Sequence, residues 1–296
     1  MKTAVFYYTQ SGQALRVAQS LCRPMGEVVY KAIESEHVFP YPWSRRAFFD
    51  VFPETRLALP PFSIRPICFS DVADADLVII VGQSWFLSPS LPLQAFFSDL
   101  SVKSFLSGRK VIFVDVCRNM WLMTMRKVKQ YLSDCGAILT GFLIFQDPHP
   151  NLISAITVTR WLLHGKKESS MFLPAAGISE QDFLDASRLG SIIRDTWERD
   201  NMEDLQDNLL AGGAIKYQPS VLFLEKAGHR FFGNWAHFIR RKGGFGNGRR
   251  ALRLSMFYYY LLFALFCVSP FVQLLFYLTY PLQHVERNKK EDCAIK

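Results

Sequence analysis

Five short apolar runs recur along the first half of the chain, with longer, helically spaced stretches between them. They are TAVFYY (3–8), EVVYKAI (27–33), ADLVIIVG (75–82), KVIFVDV (110–116) and ILTGFLIF (138–145). In 77–81 and 111–116 the apolar residues follow one another instead of alternating, as strands covered on both faces of a parallel sheet require. Helical patterns occupy 13–22, 91–100 and 119–135, the last with Leu122, Met125, Val128 and Leu132 three or four residues apart. This alternation predicts an α/β fold, a doubly wound parallel five-stranded sheet with helices on both faces.

Two segments interrupt the rhythm. Residues 35–70 replace a connecting helix with a stretch dense in Pro and aromatics, and residues 146–178 read as a second irregular excursion. A helix then starts near Ser179, where Ser-Glu-Gln-Asp offers an N-cap and early carboxylates. The domain so defined covers 1–207, with insertions at 35–70 and 146–178. Beyond it, 219–242 fits an amphipathic helix. GGFGNGRR (243–250) looks like a dinucleotide fingerprint, but no strand precedes it, so it reads as a flexible hinge. Residues 254–283 carry no formal charge and would make a helix about 45 Å long, against roughly 30 Å of bilayer hydrocarbon. Pro270 near the midpoint favours a re-entrant hairpin anchor over a single span, with a buried core hairpin as the third reading. A basic tail, 284–296, ends the chain.

Charge sharpens the membrane reading. The net charge is +8, yet from Arg240 to Lys296 ten Lys/Arg face three Asp/Glu, which leaves residues 1–239 near neutral at +1. Basic residues that bracket an apolar segment suit an anionic membrane surface, whereas a nucleic-acid protein spreads them over a folded face, so no nucleic-acid partner is expected. Basic flanks at both ends place the anchor on the cytoplasmic face of the inner membrane. The 26 Phe add to the expectation of an apolar ligand or a membrane contact. Six cysteines show no Cys-x-x-Cys pair and no clustering with His, so neither metal nor disulfide framework is expected and the setting is reducing. The first residues read as a strand, too short an apolar run for an export signal.

The chemistry concentrates in the loops after three strands. YYTQSGQAL runs from the first strand through a polar turn into a helix N-terminus, where Thr9, Ser11 and the backbone NH groups of Gln10 to Gln13 can wrap an anion. The third strand ends in Gly82, followed by Gln83, Ser84, Trp85 and Phe86 and a Pro-marked helix start. Together these motifs resemble the flavodoxin-like fold and its FMN site. The resemblance implies that Thr9, Gln10, Ser11, Gly12, Gln13 and Ala14 hold the FMN phosphate. It implies further that Gln83, Ser84, Trp85 and Phe86 line the isoalloxazine, with Cys117, Arg118 and Asn119 as the third loop. Ala14 stands where that pattern often has Thr. Arg118 reads either as a group that stabilises a reduced flavin or grips a substrate carboxylate, or as the partner of a neighbouring acid. Cys117 reads as a nucleophile or as packing, Asn119 as a flavin contact or a helix N-cap. His149 and His164 are candidate proton acceptors, or surface histidines.

A second resemblance spans most of the chain. YYTQSGQ, PWSRRAFFDVFPE, WFLSPSLP, CRNMWLM and TRWLLHGKK are similar to the dialkylresorcinol condensing enzymes, the partners of ketosynthases in resorcinol-lipid and flexirubin-type pigment pathways. No Cys-His-Asn set for carbon–carbon condensation is visible here. The resemblance therefore implies a flavoprotein oxidoreductase acting as the aromatase that converts a cyclohexanedione with two alkyl tails into a dihydroxyarene. It implies a lipid-like substrate, a membrane surface and a ketosynthase as partners, with Tyr41, Trp43, Phe48 and Phe49 of the insert as a wall over the alkyl chains or as a structural flap. Two other functions stay open: an NAD(P)H-dependent quinone or azo reductase on the same fold, and a non-enzymatic membrane adaptor for the ketosynthase.

Overall fold

The computed structural model describes residues 1–280 and 285–293, with the side chains of 285–288 left aside. Its centre is a five-stranded sheet formed by β1 (Lys2–Tyr7), β2 (Glu27–Ala32), β3 (Leu77–Gly82), β6 (Lys110–Cys117) and β7 (Ile138–Gln146). β4 (Ser84–Trp85) and β5 (Ser88–Pro89) form a separate two-residue hairpin after β3. The sheet order is β2-β1-β3-β6-β7 with every pair parallel. Renumbered within the sheet this is 2-1-3-4-5, the flavodoxin-like order, whose ligand crevice lies at the switch point outside the strand ends. The five predicted strands all form, each within two residues of its expected bounds.

All six residues of β3 are buried, because helices cover both faces. On one side α1 (Gln13–Cys22), α8 (Glu180–Glu198) and α9 (Leu205–Ala211) bury Val17, Leu21, Leu189 and Ile193 against Ile79 and Val114. On the other, α4 (Leu91–Ser98), α5 (Leu100–Leu106) and α6 (Leu122–Asp134) bury Phe96, Val102 and Val128 against Phe6, Ile80 and Phe113. The crossing of α1 and α8 needs Gly190, since a Cβ there would meet the Leu21 carbonyl oxygen at 1.8 Å. α8 opens on Ser179, the expected N-cap, which forms a complete capping box with Asp182.

Four expectations are corrected. The insertion at 35–70 holds two short helices, α2 (Arg45–Asp50) and α3 (Phe52–Leu57). The excursion at 146–178 holds α7 (Asn151–His164). The glycine-rich stretch is pinned instead of flexible. Gly246 N donates to Asp50 Oδ2 at 2.9 Å, Phe245 packs on His37 and Phe62, and Arg250 is fully buried against Glu54. Finally, no hairpin turn forms at Pro270. One helix runs unbroken from Gly248 to Leu278 through α11 (Ala251–Phe263), a π-turn (Ala264–Val268) and α12 (Ser269–Leu278). Proline lacks the NH that a regular helix bonds one turn back, and the wider π-turn just before it absorbs the defect. The end of the expected 254–283 segment lies partly outside the described residues.

α10 (Pro219–Arg240) is amphipathic as expected, but its apolar face is spent inside the protein, on α3, α6 and the long C-terminal helix. The described part of the tail forms α13 (Val285–Cys293), whose buried Asp292 pairs with Arg126 and Lys226.

Candidate functional site

Parallel strands in register bring the loops after β1, β3 and β6 to one edge: Tyr7 lies beside Val81, and Gly82 beside Asp115. The first loop turns into α1 through Gly12, whose φ of 83° lies in the left-handed region that glycine tolerates. α1 has no side-chain cap and no acid in its first turn, so its exposed NH groups and positive dipole end remain available to an anion. Two side-chain donors wait beside it. Thr9 Oγ1 and Gln10 Nε2 are buried without a hydrogen-bond partner. Trp43 Nε1 donates to Gln10 Oε1 at 3.2 Å, which leaves the amide's NH2 as its free end. A ligand phosphate fits this arrangement, since buried donors without acceptors cost about 1–3 kcal/mol each.

The other predicted phosphate residues serve differently. Gln13 spends its amide on the backbone of Ile178, with both contacts between 3.3 and 3.4 Å. Ala14 is fully buried in the core with Val5 and Val17, so its methyl faces inward and only its backbone NH belongs to the loop. That burial is a physical reason for a small apolar residue where a hydroxyl is common.

The second loop is the β4–β5 hairpin. Its two central residues, Phe86 and Leu87, both take positive φ, 48° and 60°, the pattern of a type I′ turn usually built from Asn and Gly. Packing holds it there: Phe86 lies 4.7 Å from Phe48 and 5.1 Å from Phe52, ring to ring. Phe86 therefore clamps the insert to the sheet. Trp85 remains at the crevice, ringed by Tyr8, Phe39 and Trp43 at 5.1–5.9 Å. Tyr41 sits against Trp161 of α7, and Phe49 packs on Phe257 and Tyr258, so the expected wall reaches from the crevice to the C-terminal helix. Gln83 contributes its carbonyl, which accepts from Ser90 N at 2.9 Å.

A buried polar cluster lies under these loops. Ser84 Oγ is 2.6 Å from both Asp115 Oδ2 and Thr124 Oγ1. One hydroxyl has one hydrogen, so Ser84 donates to the carboxylate and Thr124 donates to Ser84. Asp115 is 1 % exposed and its Oδ1 has no partner; desolvation raises its pKa to about 7, opposed by the Ser84 hydrogen bond. Glu225 of α10 accepts from Leu122 N at 3.1 Å and Met123 N at 2.7 Å, acting as a remote cap for α6. Burial raises it as well to about 7. Cys117 is pushed well above the ordinary thiol value by burial, with Asp115 and Glu225 adding. That direction disfavours the thiolate that a nucleophile needs.

Arg118 Nη1 donates to Asn151 at 2.8 Å (Oδ1) and 2.9 Å (O), and burial lowers its pKa to about 10. Its hydrogen bonds thus go to Asn151 instead of a carboxylate. Asn119 also donates to Asn151 Oδ1, and keeps its own buried Oδ1 unpartnered. It does not cap α6, because Glu225 does. Asn151 Nδ2 reaches Ser269 of the long helix at 3.2 Å. His149 enters only through its backbone NH, which donates to Asp147 Oδ1 at 2.9 Å, and His164 is exposed at the end of α7.

Asp115, Thr124, Asn151 and Glu225 are absent from the sequence-based set. Asp115 had a local signal, a single acid inside an apolar strand. Glu225 had none, since its role depends on α10 docking more than 100 residues downstream. Among the described residues no group of His, Cys, Asp and Glu is arranged to hold a metal.

No protein-family model matches the chain, and no curated protein matches it. Solved structures with a similar chain path include an FMN-bound flavoprotein from Lactobacillus acidophilus, 16 % identical, covering 48 % of this chain and 92 % of that one, TM-score 0.39. A WrbA-like flavodoxin from Agrobacterium tumefaciens is 13 % identical, covering 66 % and 98 %, TM-score 0.39. An azoreductase from Bacillus anthracis is 10 % identical, covering 64 % and 99 %, TM-score 0.35. The strand order assigns the fold independently of these likenesses.

Proposed function

We propose that this protein is an FMN-dependent oxidoreductase. The observation that carries the reading is the pair of buried, partnerless donors, Thr9 Oγ1 and Gln10 Nε2, at the uncapped N-terminus of α1. Thr9, Gln10, Ser11 and the NH groups of Gly12 to Ala14 would hold the phosphate, and Trp85 with Tyr8 would border the ring. Bound there, the flavin supplies hydride acceptance.

The substrate we assign is an alkylated cyclohexanedione that is aromatised to a dihydroxyarene, as in dialkylresorcinol-type biosynthesis. Aromatisation removes one hydride, which a bound flavin would accept, and one proton, which the protein takes. Ser84 takes that proton and passes its own to Asp115, whose pKa near 7 suits a base at neutral pH. The aromatic insert, with Phe39, Tyr41 and Trp43, covers the alkyl chains and excludes water. A ketosynthase supplies the substrate, and the long apolar helix holds the enzyme at the cytoplasmic face of a membrane, where such a lipid-like molecule partitions.

A second reading, an NAD(P)H-dependent quinone or azo reductase, is favoured by one observation. A cavity of about 510 Å³ behind the hairpin is lined by Arg56, Lys127, His229 and Arg240, a basic setting suited to an anionic electron donor. Two experiments separate the readings. Purified protein that stays colourless and takes up no FMN on reconstitution sinks both and leaves the adaptor. With flavin bound, resorcinol formed from an alkylated cyclohexanedione without nicotinamide supports the aromatase. Rapid NADPH oxidation by quinones without that product supports the reductase.

A further inference from the structure

The Gly248–Leu278 helix is long enough to cross a bilayer by composition, but its attachments argue otherwise. It runs antiparallel to α10 and packs on it near both ends. Arg253 stacks on Phe238 at 4.0 Å, and Phe257 packs on Trp235 and Phe232 at 5.5–5.7 Å. At the far end Phe276 packs on Phe223 at 5.6 Å, and Tyr277 meets the Ser220 hydroxyl at 3.2 Å. Between them Ser269 is bonded to Asn151 of α7.

From Arg253 to Tyr277 these contacts extend along about 36 Å of helix, more than the roughly 30 Å hydrocarbon core. A transmembrane placement would carry α10 into lipid with its Lys226 and exposed Arg230, at roughly 2.5–3.5 kcal/mol per charge near the centre. The outer face tells the complementary story. Met256, Tyr259, Phe263, Phe266, Phe271 and Leu274 are all exposed, spaced three, four, three, five and three residues apart. The five-residue step, from Phe266 to Phe271, begins inside the π-turn at Ala264–Val268. A π-turn takes up one extra residue, so the turn keeps the stripe on one side of the helix past Pro270.

We propose that this helix lies along the membrane and not through it, with the apolar stripe sunk into one leaflet and the protein body above it. Exposed Arg241, Lys242 and Arg249 at one end, with Lys289 and Lys290 of α13, supply the charge complement to anionic headgroups. The occupant of the stripe is a lipid surface, which rests on the membrane part of the function proposed above. The flavin part of that reading is not needed.

The test uses the full-length chain on vesicles of phosphatidylcholine with phosphatidylglycerol. Single labels are placed at Cys267, which is exposed in the native chain, and in separate variants at Met256→Cys and Leu274→Cys with Cys267→Ser; exposed Cys68→Ser is common to all. Quenching by lipids brominated at graded depths is expected to report one shallow depth for all three sites. A fluorescent tag at each terminus is expected to stay protease-accessible from outside. Phe263→Glu and Phe271→Glu, both at exposed positions, are expected to weaken vesicle partition by roughly tenfold or more without changing the melting temperature. A label at 267 much deeper than those at 256 and 274, with the C-terminal tag protected, overturns the in-plane placement while keeping the membrane. No vesicle binding, with a dimer that both Glu variants dissociate, overturns the lipid occupant altogether.

Discussion

Asp115 is the residue on which the proposed chemistry turns. Burial raises its pKa from 3.8 to about 7, so the folded protein binds a proton between those values that the unfolded chain has released. Stability therefore falls as pH rises through that window, instead of rising as it does for a carboxylate held in an ion pair. Asp115→Asn is expected to flatten the fall, read as urea midpoints measured from pH 4 to pH 8; an unchanged slope would assign it to Glu225, which rises to about 7 for the same reason. If Asp115 takes the substrate proton through Ser84, turnover increases as pH passes about 7 in the native chain, and Asp115→Asn lowers kcat by about 10²–10⁴-fold. Thr9 makes a prediction of opposite signs. Its hydroxyl is buried with no partner, so Thr9→Val leaves the ligand-free protein as stable or up to about 1 kcal/mol more stable, while FMN affinity drops by roughly tenfold or more. Melting curves with and without FMN check both halves. A loss of stability without flavin would mean that the hydroxyl has a structural partner in solution.

At the scale of elements, the sheet was legible and the insert was not. β3 reads as a buried central strand from five successive apolar residues, Leu77 to Val81, and nothing distant is needed to interpret them. The helices in 35–70 are six residues each, too short to show a period or to stand alone. They exist because other elements hold them. Glu54 is completely buried and accepts from Arg250 at 2.8–2.9 Å and from Arg240 at 2.7 Å, with Asp50 beside Arg250 Nε at 2.9 Å. Those arginines lie almost 200 residues downstream, so no local reading of the insert could find them. Of the loop after β1, the turn and the polar residues Thr9 and Gln10 were visible as a motif. The inward fate of Gln13 and Ala14 was fixed by Ile178 and the core. Removing one member of a buried charge cluster leaves the others uncompensated, and Glu54→Ala is expected to cost about 3–5 kcal/mol. A double variant, Glu54→Ala with Arg250→Met, is expected to recover part of that loss in chemical denaturation. A cost under about 1 kcal/mol for the single variant would mean that the cluster is solvated.

The whole molecule behaves as one body, although the sequence divides it into a domain, a helix, an anchor and a tail. α10 caps α6 through Glu225, supplies the Arg56 contacts at His229, and carries the long helix on its outer side. The long helix in turn completes the cluster around Phe52, whose ring stacks on Phe257 at 3.8 Å. The insert that covers the crevice is thus built between the sheet and the C-terminal third of the chain. An anchor joined by a loose hinge could be cut away without consequence, and that is the difference a truncation reads. A chain ending at Tyr217 loses Glu225, Arg240, Arg250 and Phe257 together, leaving Glu54 without its arginines, Phe52 without its stacked ring and the first NH groups of α6 uncapped. Its sheet core is expected to keep the secondary structure seen by circular dichroism, because α1, α8 and α9 still cover one face and α4 to α6 the other. The insert is expected to become protease-sensitive between residues 35 and 70, and the melting temperature to fall. Equal proteolysis of the insert in the truncated and full-length chains would show that the C-terminal third is an appendage, and that the crevice is walled by the sheet domain alone.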